Sequence, residues 1–257
     1  MKKARRKPVT RAMSVSKPLD ARLRGRIDGL VDHYVRNRSL FEQLVEHLKT
    51  LITNNASLKK YVHSVKWRVK DPDHLRDKLE RKAREQAAQG KPFPYTPENL
   101  FTKVNDLAGF RILHLHTRQM GEVNQCLEAL FKEDKYLVVE GPAARTWDDE
   151  SRSYFGSIGI KTVKSASLYT SVHYVLQPNR RTKITCELQV RTLMEEVWGE
   201  VAHSINYPHP TDSVSCQEQI AVLARLTSAC TRLVDSVFSS HRDARTPAGR
   251  SNSRRRR

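Results

Sequence analysis

The chain has 257 residues, a hydrophobic fraction of 38% and a formal net charge of +18, and this length suits one sizeable domain with appendages. Most of the charge lies at the ends, because residues 1–26 contribute +9 and residues 242–257 contribute +6, which leaves +3 for residues 27–241. The composition therefore excludes a uniformly basic fold. It predicts two disordered basic tails, which either tether RNA or a ribosome through phosphate contacts or act only as solubilising segments.

Hydropathy and cysteine spacing exclude further classes of protein. No apolar segment suited to a secretory signal precedes Leu19, and no run of 18 apolar residues occurs, so we expect neither secretion nor a membrane span. The four cysteines stand apart without a Cys-x-x-Cys pair. This spacing predicts neither a zinc site nor a disulfide framework, and a reducing cytoplasm is the expected setting.

The first predicted elements are helical. Apolar residues recur at helical spacing in residues 19–53, which predicts two helices separated near Asn37. We interpret residues 27–60 as a helical packing layer. Residues 61–70 then alternate as in a strand, and an Asp-Pro pair predicts that a helix spans residues 71–89, with the aspartate as its N-cap.

A cluster of cations surrounds the junction between this strand and this helix. Arg68 and Lys70 share one face of the strand, while His74 and Lys78 share one face of the helix because they are four residues apart. A helix N-terminus that follows a basic strand end is a favourable anion site. We therefore expect Arg68, Lys70 and Lys78 to bind phosphate.

Residues 106–116 begin with an acid and continue as an apolar strand. Asp106 at the mouth of this strand can hold a metal beside a phosphate, or it can cap a turn, and both readings stay open. A helix and a short strand are predicted within residues 120–139. Residues 141–167 show the weakest pattern, so we expect a long functional or mobile loop, from which Lys164 could reach a phosphate.

Residues 169–176 and 183–191 are rich in β-branched and aromatic side chains and are separated by a polar turn, which predicts a strand pair. Side chains alternate across each strand, so one face of the pair is apolar and the other is polar. The polar face carries Tyr169, His173, Glu187, Gln189 and Arg191. This composition differs from an ordinary solvated face, and we interpret it as a functional site.

Two helices are predicted to complete the chain. A helix over residues 193–206 follows Thr192 as its cap, and its predicted packing face is Met194, Val197, Trp198, Val201 and Ile205. A second amphipathic helix spans residues 217–238, with an apolar face of Ile220, Leu223, Leu226, Leu233 and Val237. Strands that alternate with helices indicate an α/β domain. The sequence lacks both a dinucleotide-binding fingerprint and a P-loop.

Four blocks of the sequence resemble, in the same order, the synthetase domain of RelA/SpoT-type alarmone synthetases. The blocks are Arg68-Val69-Lys70 with Lys78, then Asp106-Leu107-Ala108-Gly109-Phe110-Arg111-Ile112, then Tyr169-Thr170-Ser171-Val172-His173, then Glu187-Leu188-Gln189-Val190-Arg191-Thr192. The resemblance covers roughly residues 61–207. It implies a mixed β-sheet flanked by helices, related to nucleotidyltransferases, and a magnesium-dependent transfer of pyrophosphate from ATP to the 3′-hydroxyl of GDP or GTP.

The resemblance also implies roles for individual residues. Arg68, Lys70 and Lys78 would hold the ATP phosphates, with His74 at a position where the family often has serine. Asp106 would bind Mg²⁺, and Glu187 would help to hold the metal and accept the proton of the 3′-hydroxyl.

On the acceptor side, Tyr169 would stack on the acceptor base and His173 would lie near its phosphates. Gln189 and Arg191 would support Glu187, and Lys164 is grouped with them as a phosphate contact. Such a transfer requires cations, a bridging metal and a positioned base. The family commonly has Pro-Asn-Gly where this chain has Ala-Ser-Leu at residues 166–168.

The expected architecture is a stand-alone synthetase domain over residues 61–210, followed by a helix over residues 211–241; a homo-oligomer is compatible with it. Three alternatives stay open. The chain could pyrophosphorylate the 3′ end of tRNA, as a toxic branch of small synthetases does. It could be a non-catalytic RNA- or ribosome-binding protein on the same fold, or it could transfer a nucleoside monophosphate.

Overall fold

A computed structural model describes residues 19–179, 181–207 and 210–245. Its α-helices in chain order are α1 (Ala21–Arg36), α2 (Arg38–Asn54), α3 (Pro72–Ala88), α4 (Leu100–Lys103), α5 (Met120–Glu133), α6 (Asp149–Ser157), α7 (Leu193–Asn206) and α8 (Val214–Arg245). Its strands are β1 (Val62–Val69), β2 (Ala108–His114), β3 (Leu137–Thr146), β4 (Lys161–Lys164), β5 (Ser171–Gln177) and β6 (Cys186–Thr192).

Helical structure extends into both segments that were predicted as tails. Helix α1 begins at Ala21, where Asp20 accepts a hydrogen bond from the N–H of Arg22, and α8 continues to Arg245. The remaining residues of the two predicted tails, 1–18 and 246–257, lie outside the described residues. The predicted break between the first two helices at Asn37 is confirmed.

The strands of the described residues form one mixed sheet in the order β1-β2-β6-β5-β3-β4. Strands β2 and β6 are parallel, as are β3 and β4, whereas the other neighbours are antiparallel. This confirms the predicted mixed sheet flanked by helices. The predicted strand pair is also confirmed, because β5 pairs with β6 in a register that sets His173 opposite Gln189.

One hydrophobic core joins the sheet to the helices on either side of it. Helix α1 contributes Ile27, Leu30, Val31 and Tyr34, and the apolar stripe of α2 packs beside them. The hydroxyl of the fully buried Tyr34 donates a hydrogen bond of 2.5 Å to the backbone carbonyl of Lys70. The N-terminal helical layer therefore fixes the corner between β1 and α3.

The prediction of a long loop over residues 141–167 is wrong. Strand β3 continues to Thr146, and it is followed by α6 and by the edge strand β4. Two irregularities in the pairing of β3 with β5 interrupt the alternation of side chains. Because a strand is predicted from this alternation, the sequence did not indicate that β3 continues. Asp148 is the N-cap of α6, since its carboxylate accepts a hydrogen bond from the N–H of Ser151.

A glycine is required where β3 pairs with β5. Gly141 has a φ of +89°, and a Cβ atom built there would lie 2.3 Å from the backbone oxygen of His173. Any larger residue would push β3 away from β5 and would also adopt an unfavourable backbone conformation. Gly141 therefore sets the position of a strand that carries a predicted site residue.

The predicted packing faces of the last two helices are wrong in part. On α7, Trp198 is buried, but Val197, Val201 and Ile205 are exposed. On α8, the buried residues are the small Ala224, Thr227, Ser228 and Thr231, whereas Leu226, Leu233 and Val237 point outward.

The packing faces of α7 and α8 were predicted wrongly in part because amphipathic spacing identifies an apolar face of a helix but not the neighbour that this face contacts. Small side chains allow α8 to lie close to the end of β6, where the hydroxyls of Thr231 and Thr192 are 3.4 Å apart. No described helix combines the length and the apolar character that crossing a lipid bilayer requires.

Candidate functional site

Three adjoining cavities lie over β1, β2 and β6, and Arg68 lines all of them. The lysine cavity, of about 230 Å³, is lined by Arg68, Lys70, His74, Lys78, Arg81, Asp106, His203 and Tyr207. The central cavity, of about 270 Å³, includes Arg68, Asp106, Arg111, Glu187 and Gln189. The tyrosine cavity, of about 940 Å³, includes residues 166–169, His173, Gln189, Arg191, Trp198 and parts of α7 and α8.

The lysine cavity is built on the junction of β1 and α3. Asp71 caps α3, because its carboxylate accepts hydrogen bonds from the N–H groups of Asp73 and His74. The backbone N–H of Lys70 donates to the carbonyl of Leu107, which holds the end of β1 beside the segment that precedes β2. These local contacts bring the predicted phosphate-binding residues to the carboxylate at position 106.

Asp106 bonds to two ammonium groups at once. Its Oδ2 lies 2.9 Å from Nζ of Lys70, and its Oδ1 lies 2.6 Å from Nζ of Lys78. Burial alone would raise the pKa of Asp106, but the two lysines outweigh it and lower the pKa to about 2. Burial also lowers the pKa of Lys70, an effect that Asp106 opposes. Asp106 is therefore a carboxylate at neutral pH.

Glu187 is held in a ring of four side chains on the polar face of β5 and β6. Nδ1 of His173 lies 3.0 Å from Oε1 of Glu187, and Nε2 of Gln189 donates to Oε2 at 3.0 Å. The hydroxyl of Tyr169 closes the ring, at 3.1 Å from Nε2 of His173 and 3.3 Å from Oε1 of Gln189. The amide oxygen of Gln189 can only accept, so the hydroxyl proton of Tyr169 is donated to it and the hydroxyl oxygen accepts from Nε2 of His173.

The ring keeps Glu187 charged although it is largely buried. Burial raises the pKa of Glu187, but the hydrogen bond and charge of His173, together with Gln189, outweigh it and leave the pKa below its usual value. The negative charge of Asp106 acts in the opposite direction and raises the pKa of Glu187. Both of them line the central cavity, as the sequence interpretation requires.

Arg191 belongs to a second ion network at the start of α7. Its Nε donates to Oε2 of Glu196 at 2.6 Å, and Arg111 donates to both Glu196 and Glu200. Gly199 makes room for this arrangement, since a Cβ atom there would lie 2.6 Å from the guanidinium of Arg191. Arg191 also lies 5.8 Å from the ring centroid of Tyr169. It therefore positions the tyrosine and α7.

Sequence reasoning missed several residues of the cavities, among them Arg111, His203 and Tyr207. Arg111 lines the central and tyrosine cavities, and the signal for it is a cation in the middle of an otherwise apolar strand. His203 and Tyr207 line the lysine cavity, with their rings stacked at 4.7 Å. His74 contacts Tyr207 edge-on, with ring centroids 5.4 Å apart. His74 is thus placed as predicted, but beside aromatic rings that no local pattern indicates.

Lys164 is the one predicted residue that the structure separates from the others. It lies at the end of the edge strand β4, opposite Thr146 of β3. It is exposed and lines none of the three cavities.

The two carboxylates of the central cavity are candidate ligands for Mg²⁺. Within the described residues, no group of three or more His, Cys, Asp or Glu side chains is arranged to hold a metal ion. Mg²⁺ commonly uses only one or two carboxylates and completes its shell with water and substrate phosphates. Asp106 and Glu187, both ionised and on one cavity, fit this requirement.

Comparison of the chain with known proteins identifies one matching family and several solved structures with a similar fold. Residues 67–212, more than half of the chain, match the family described as a region found in RelA / SpoT proteins. No curated protein sequence matches the chain significantly.

Among solved structures, small alarmone synthetase 1 from Bacillus subtilis bound to its product pppGpp has a TM-score of 0.56 and 22% identity, over 82% of this chain and 98% of that one. The same protein bound to AMPCPP gives 0.55 and 17%, over 82% and 99%. A GTP pyrophosphokinase family protein from Streptococcus pneumoniae gives 0.56 and 19%, over 84% and 95%.

Proposed function

The chain belongs to the RelA/SpoT family, and from this premise we propose that it transfers a pyrophosphoryl group from ATP to the 3′-hydroxyl of GDP or GTP. The observation that carries the proposal is that two ionised carboxylates, Asp106 and Glu187, share the central cavity between a cationic and an aromatic cavity. The nucleotides bound in the Bacillus subtilis structures, pppGpp and AMPCPP, support one nucleotide in the lysine cavity and one in the tyrosine cavity.

In this proposal the lysine cavity binds the donor. Arg68, Lys70 and Lys78 contact the phosphates of ATP, and His74 lines the same pocket. The two ammonium groups that now bond to Asp106 turn to the phosphates and leave the carboxylate available. Mg²⁺, held by Asp106 and Glu187, would neutralise charge on the donor phosphates.

The tyrosine cavity binds the acceptor in the same proposal. Tyr169 stacks on the base, and Glu187 accepts the proton of the 3′-hydroxyl, whose oxygen attacks the β-phosphorus of ATP while the bond to the α-phosphate breaks and AMP leaves. His173 and Gln189 hold the carboxylate of Glu187 in a fixed orientation. An ionised carboxylate that is fixed by two hydrogen bonds is suited to act as a general base.

A tRNA 3′ end is a second candidate acceptor, and one observation favours it. The 5′-diphosphate of GDP needs cations, but Arg111 and Arg191 in the tyrosine cavity already pair with acids of α7, and Lys164 lies outside the cavity. Arg68 also lines this cavity, but in this proposal it contacts the phosphates of ATP. Residues 166–168, which also line the cavity, are uncharged. A terminal nucleotide of RNA brings a single phosphodiester and makes a smaller demand for cations.

The test is to incubate the protein with ATP labelled at the γ-phosphate, with Mg²⁺, and with GDP, GTP or tRNA in parallel. Label in a guanine nucleotide supports the first acceptor, and label in tRNA supports the second. AMP as by-product supports pyrophosphoryl transfer, whereas release of free pyrophosphate would indicate nucleotidyl transfer. If neither acceptor is labelled, the proposal is wrong; if no free pyrophosphate is released either, a non-catalytic role in RNA or ribosome binding takes its place.

The variant that tests the general base is Glu187→Gln. We expect transfer to fall by about 10²- to 10⁴-fold, the usual contribution of a general base, while a non-hydrolysable ATP analogue still binds. Wild-type turnover in this variant would show that Glu187 is not the base. A binding protein would instead lose its function when residues 1–26 or 242–257 are deleted and would be unaffected by the Glu187 variant.

A further inference from the structure

Among the described residues that line the tyrosine cavity, Glu200 of α7 is the one that carries a carboxylate. The same residue lines the central cavity, and 52% of its side chain is exposed. A carboxylate is unfavourable where a ligand places its phosphates, because like charges repel each other. Glu200 therefore indicates a part of the tyrosine cavity where the ligand presents hydrogen-bond donors.

The cations around Glu200 already have a closer counter-ion. Glu196, one turn earlier on α7 and almost fully buried, accepts hydrogen bonds from Arg111 at 2.8 Å and from Arg191 at 2.6 Å, and its Oε1 lies 2.7 Å from Nζ of Lys66. Of these three cations, Glu200 bonds to Arg111 at 2.7 Å and lies 3.9 Å from the other two. Glu196 therefore neutralises the network from inside, and Glu200 faces the cavities.

The carboxylate of Glu200 lies beside the aromatic wall of the tyrosine cavity. Its contacts with Arg111, Lys66 and Arg191 all use Oε1. The guanidinium of Arg191 in turn lies 5.8 Å from the ring centroid of Tyr169. A base that stacks on Tyr169, as in the proposed function, therefore has its edge within reach of Glu200.

A carboxylate accepts hydrogen bonds and donates none, which makes it selective among the bases. Guanine presents two adjacent donors on its base-pairing edge, N1–H and the N2 amino group, and these match the two oxygens of one carboxylate. Adenine and cytosine present an amino group beside a ring nitrogen that is an acceptor, and uracil presents one donor between two carbonyl oxygens. Each of these three bases would set an unpaired acceptor against the carboxylate, which costs binding free energy.

We propose that Glu200 selects guanine as the base of the acceptor by accepting hydrogen bonds from N1–H and from the N2 amino group. The inference rests on the proposed function, since it takes the base that stacks on Tyr169 as its starting point. It also chooses between the two candidate acceptors. The base at the 3′ end of tRNA is adenine, so Glu200 favours GDP or GTP over tRNA.

The first test changes the ligand and leaves the protein unchanged. Inosine 5′-diphosphate (IDP) differs from GDP only in lacking the N2 amino group, and the two are compared as acceptors with labelled ATP and Mg²⁺. We expect the wild type to have a kcat/KM about 10- to 100-fold higher for GDP than for IDP, the range for a hydrogen bond to a charged group. ADP should accept little label.

The second test combines this change of ligand with Glu200→Gln. The amide keeps the shape of the side chain but offers a single acceptor oxygen, and its NH₂ group faces the second donor of guanine. We expect kcat/KM for GDP to fall by about 10- to 100-fold and kcat/KM for IDP to fall much less, so that the two acceptors become nearly equal. A role confined to the ion network predicts the same loss for both acceptors.

The matched control is Glu218→Gln, which removes an exposed carboxylate of α8 between Gln217 and Ile220, two residues that line the tyrosine cavity. It should keep the preference for GDP over IDP. Binding of a non-hydrolysable ATP analogue should be unchanged in both variants, and circular dichroism melting checks that they are folded.

The outcomes separate this inference from the proposed function. Equal transfer to GDP and IDP by the wild type, or a preference for GDP that survives in Glu200→Gln, overturns the assignment of Glu200 and leaves the proposed transfer intact. Label in tRNA without label in a guanine nucleotide also overturns the assignment, because the accepted base is then adenine. If no acceptor is labelled, the proposed function and the assignment of Glu200 are both wrong.

Discussion

The lysine and tyrosine cavities lie on either side of the same two carboxylates, but different types of side chain line them. The lysine cavity is small and cationic, with Arg68, Lys70, Lys78 and Arg81 around Asp106. The tyrosine cavity is about four times larger, and most of the side chains that line it are neutral. In the proposed function, the lysine cavity would select its ligand by charge and the tyrosine cavity by shape and stacking.

The two cavities also differ in how far apart their residues lie in the sequence. Most of the lysine cavity comes from residues 68–81 with Asp106, whereas the tyrosine cavity joins residues 166–173, 189–206 and 217–221. Charge on the first side is therefore set by one local motif. The shape of the second side depends on how α7 and α8 pack on the sheet.

The largest effect is expected at the centre of the charged side, in Asp106→Asn. The change removes the counter-charge of Lys70 and Lys78 and one proposed ligand of Mg²⁺. We expect transfer to fall by at least about 100-fold, and the free energy of unfolding to fall by roughly 3 kcal/mol because a buried ammonium loses its partner. Product formation and urea denaturation measure the two effects.

The control for this prediction is Glu85→Gln, which removes an exposed carboxylate that pairs with Lys82 on the same helix. It should change neither quantity detectably. An Asp106→Asn protein with normal transfer would show that the carboxylate only neutralises the lysines. The charge of the lysine cavity would then contribute to the stability of the fold and not to the transfer reaction.

A smaller effect is expected in Arg68→Ala. Among the described residues Arg68 has no ion-pair partner in the structure, although it lines all three cavities. Its loss should weaken the binding of a non-hydrolysable ATP analogue by about 10- to 100-fold, the range for a hydrogen bond to a charged group, with no loss of stability.

Isothermal titration measures the binding of the analogue to Arg68→Ala. Arg76→Ala, which removes an exposed arginine that pairs with Asp28 on α1, is the matched control and should leave the affinity unchanged. Equal affinities for the wild type and Arg68→Ala would show that the lysines alone bind the donor.

On the neutral side, Tyr169→Ala should raise the KM for the acceptor by about 10-fold, since stacking of one base contributes roughly 1–3 kcal/mol. Binding of the ATP analogue should not change. Tyr169→Phe keeps the ring but removes the hydroxyl that contacts His173 and Gln189, and should mainly lower kcat. The control is Lys164→Ala, which we expect to change the KM less than two-fold. A large effect of Lys164→Ala would place a phosphate of the acceptor near β4.

The smallest effect on transfer is expected at Glu195, which lies behind the tyrosine cavity, near Arg191 and Asp148. Burial raises the pKa of Glu195 to about 8. The folded protein therefore keeps a proton that the unfolded chain releases, and stability decreases as the pH rises from about 4.5 to about 8. Glu195→Gln should remove this decrease, with a gain at pH 8 of at most roughly 5 kcal/mol and little change near pH 4.5.

Urea denaturation of the wild type and Glu195→Gln at both pH values measures the difference. Transfer activity of the variant at neutral pH should stay close to that of the wild type. An equal difference at both pH values would show that Glu195 is ionised in the folded protein.

The sequence predicted the parts of this molecule whose causes are local. The Asp71 cap and the cations of β1 and α3 act within a few residues of one another, so spacing alone placed Arg68, Lys70 and Lys78 correctly. The polar and apolar faces of β5 and β6 followed from the alternation of their side chains. The irregular β3, the outward face of α8 and the contact of His74 with Tyr207 could not be predicted in this way, because each depends on residues that are distant in the chain.

The carboxylate of Asp106 forms ion pairs with both Lys70 and Lys78, and so it acts as an internal counter-ion in the lysine cavity. An anion that enters the lysine cavity must compete with this carboxylate for both ammonium groups. A ligand with one charge gains little from the exchange, whereas a polyphosphate can engage Lys70, Lys78 and Arg68 together and recover more than the broken ion pairs cost. We expect competition of this kind to favour a polyphosphate over orthophosphate in the lysine cavity.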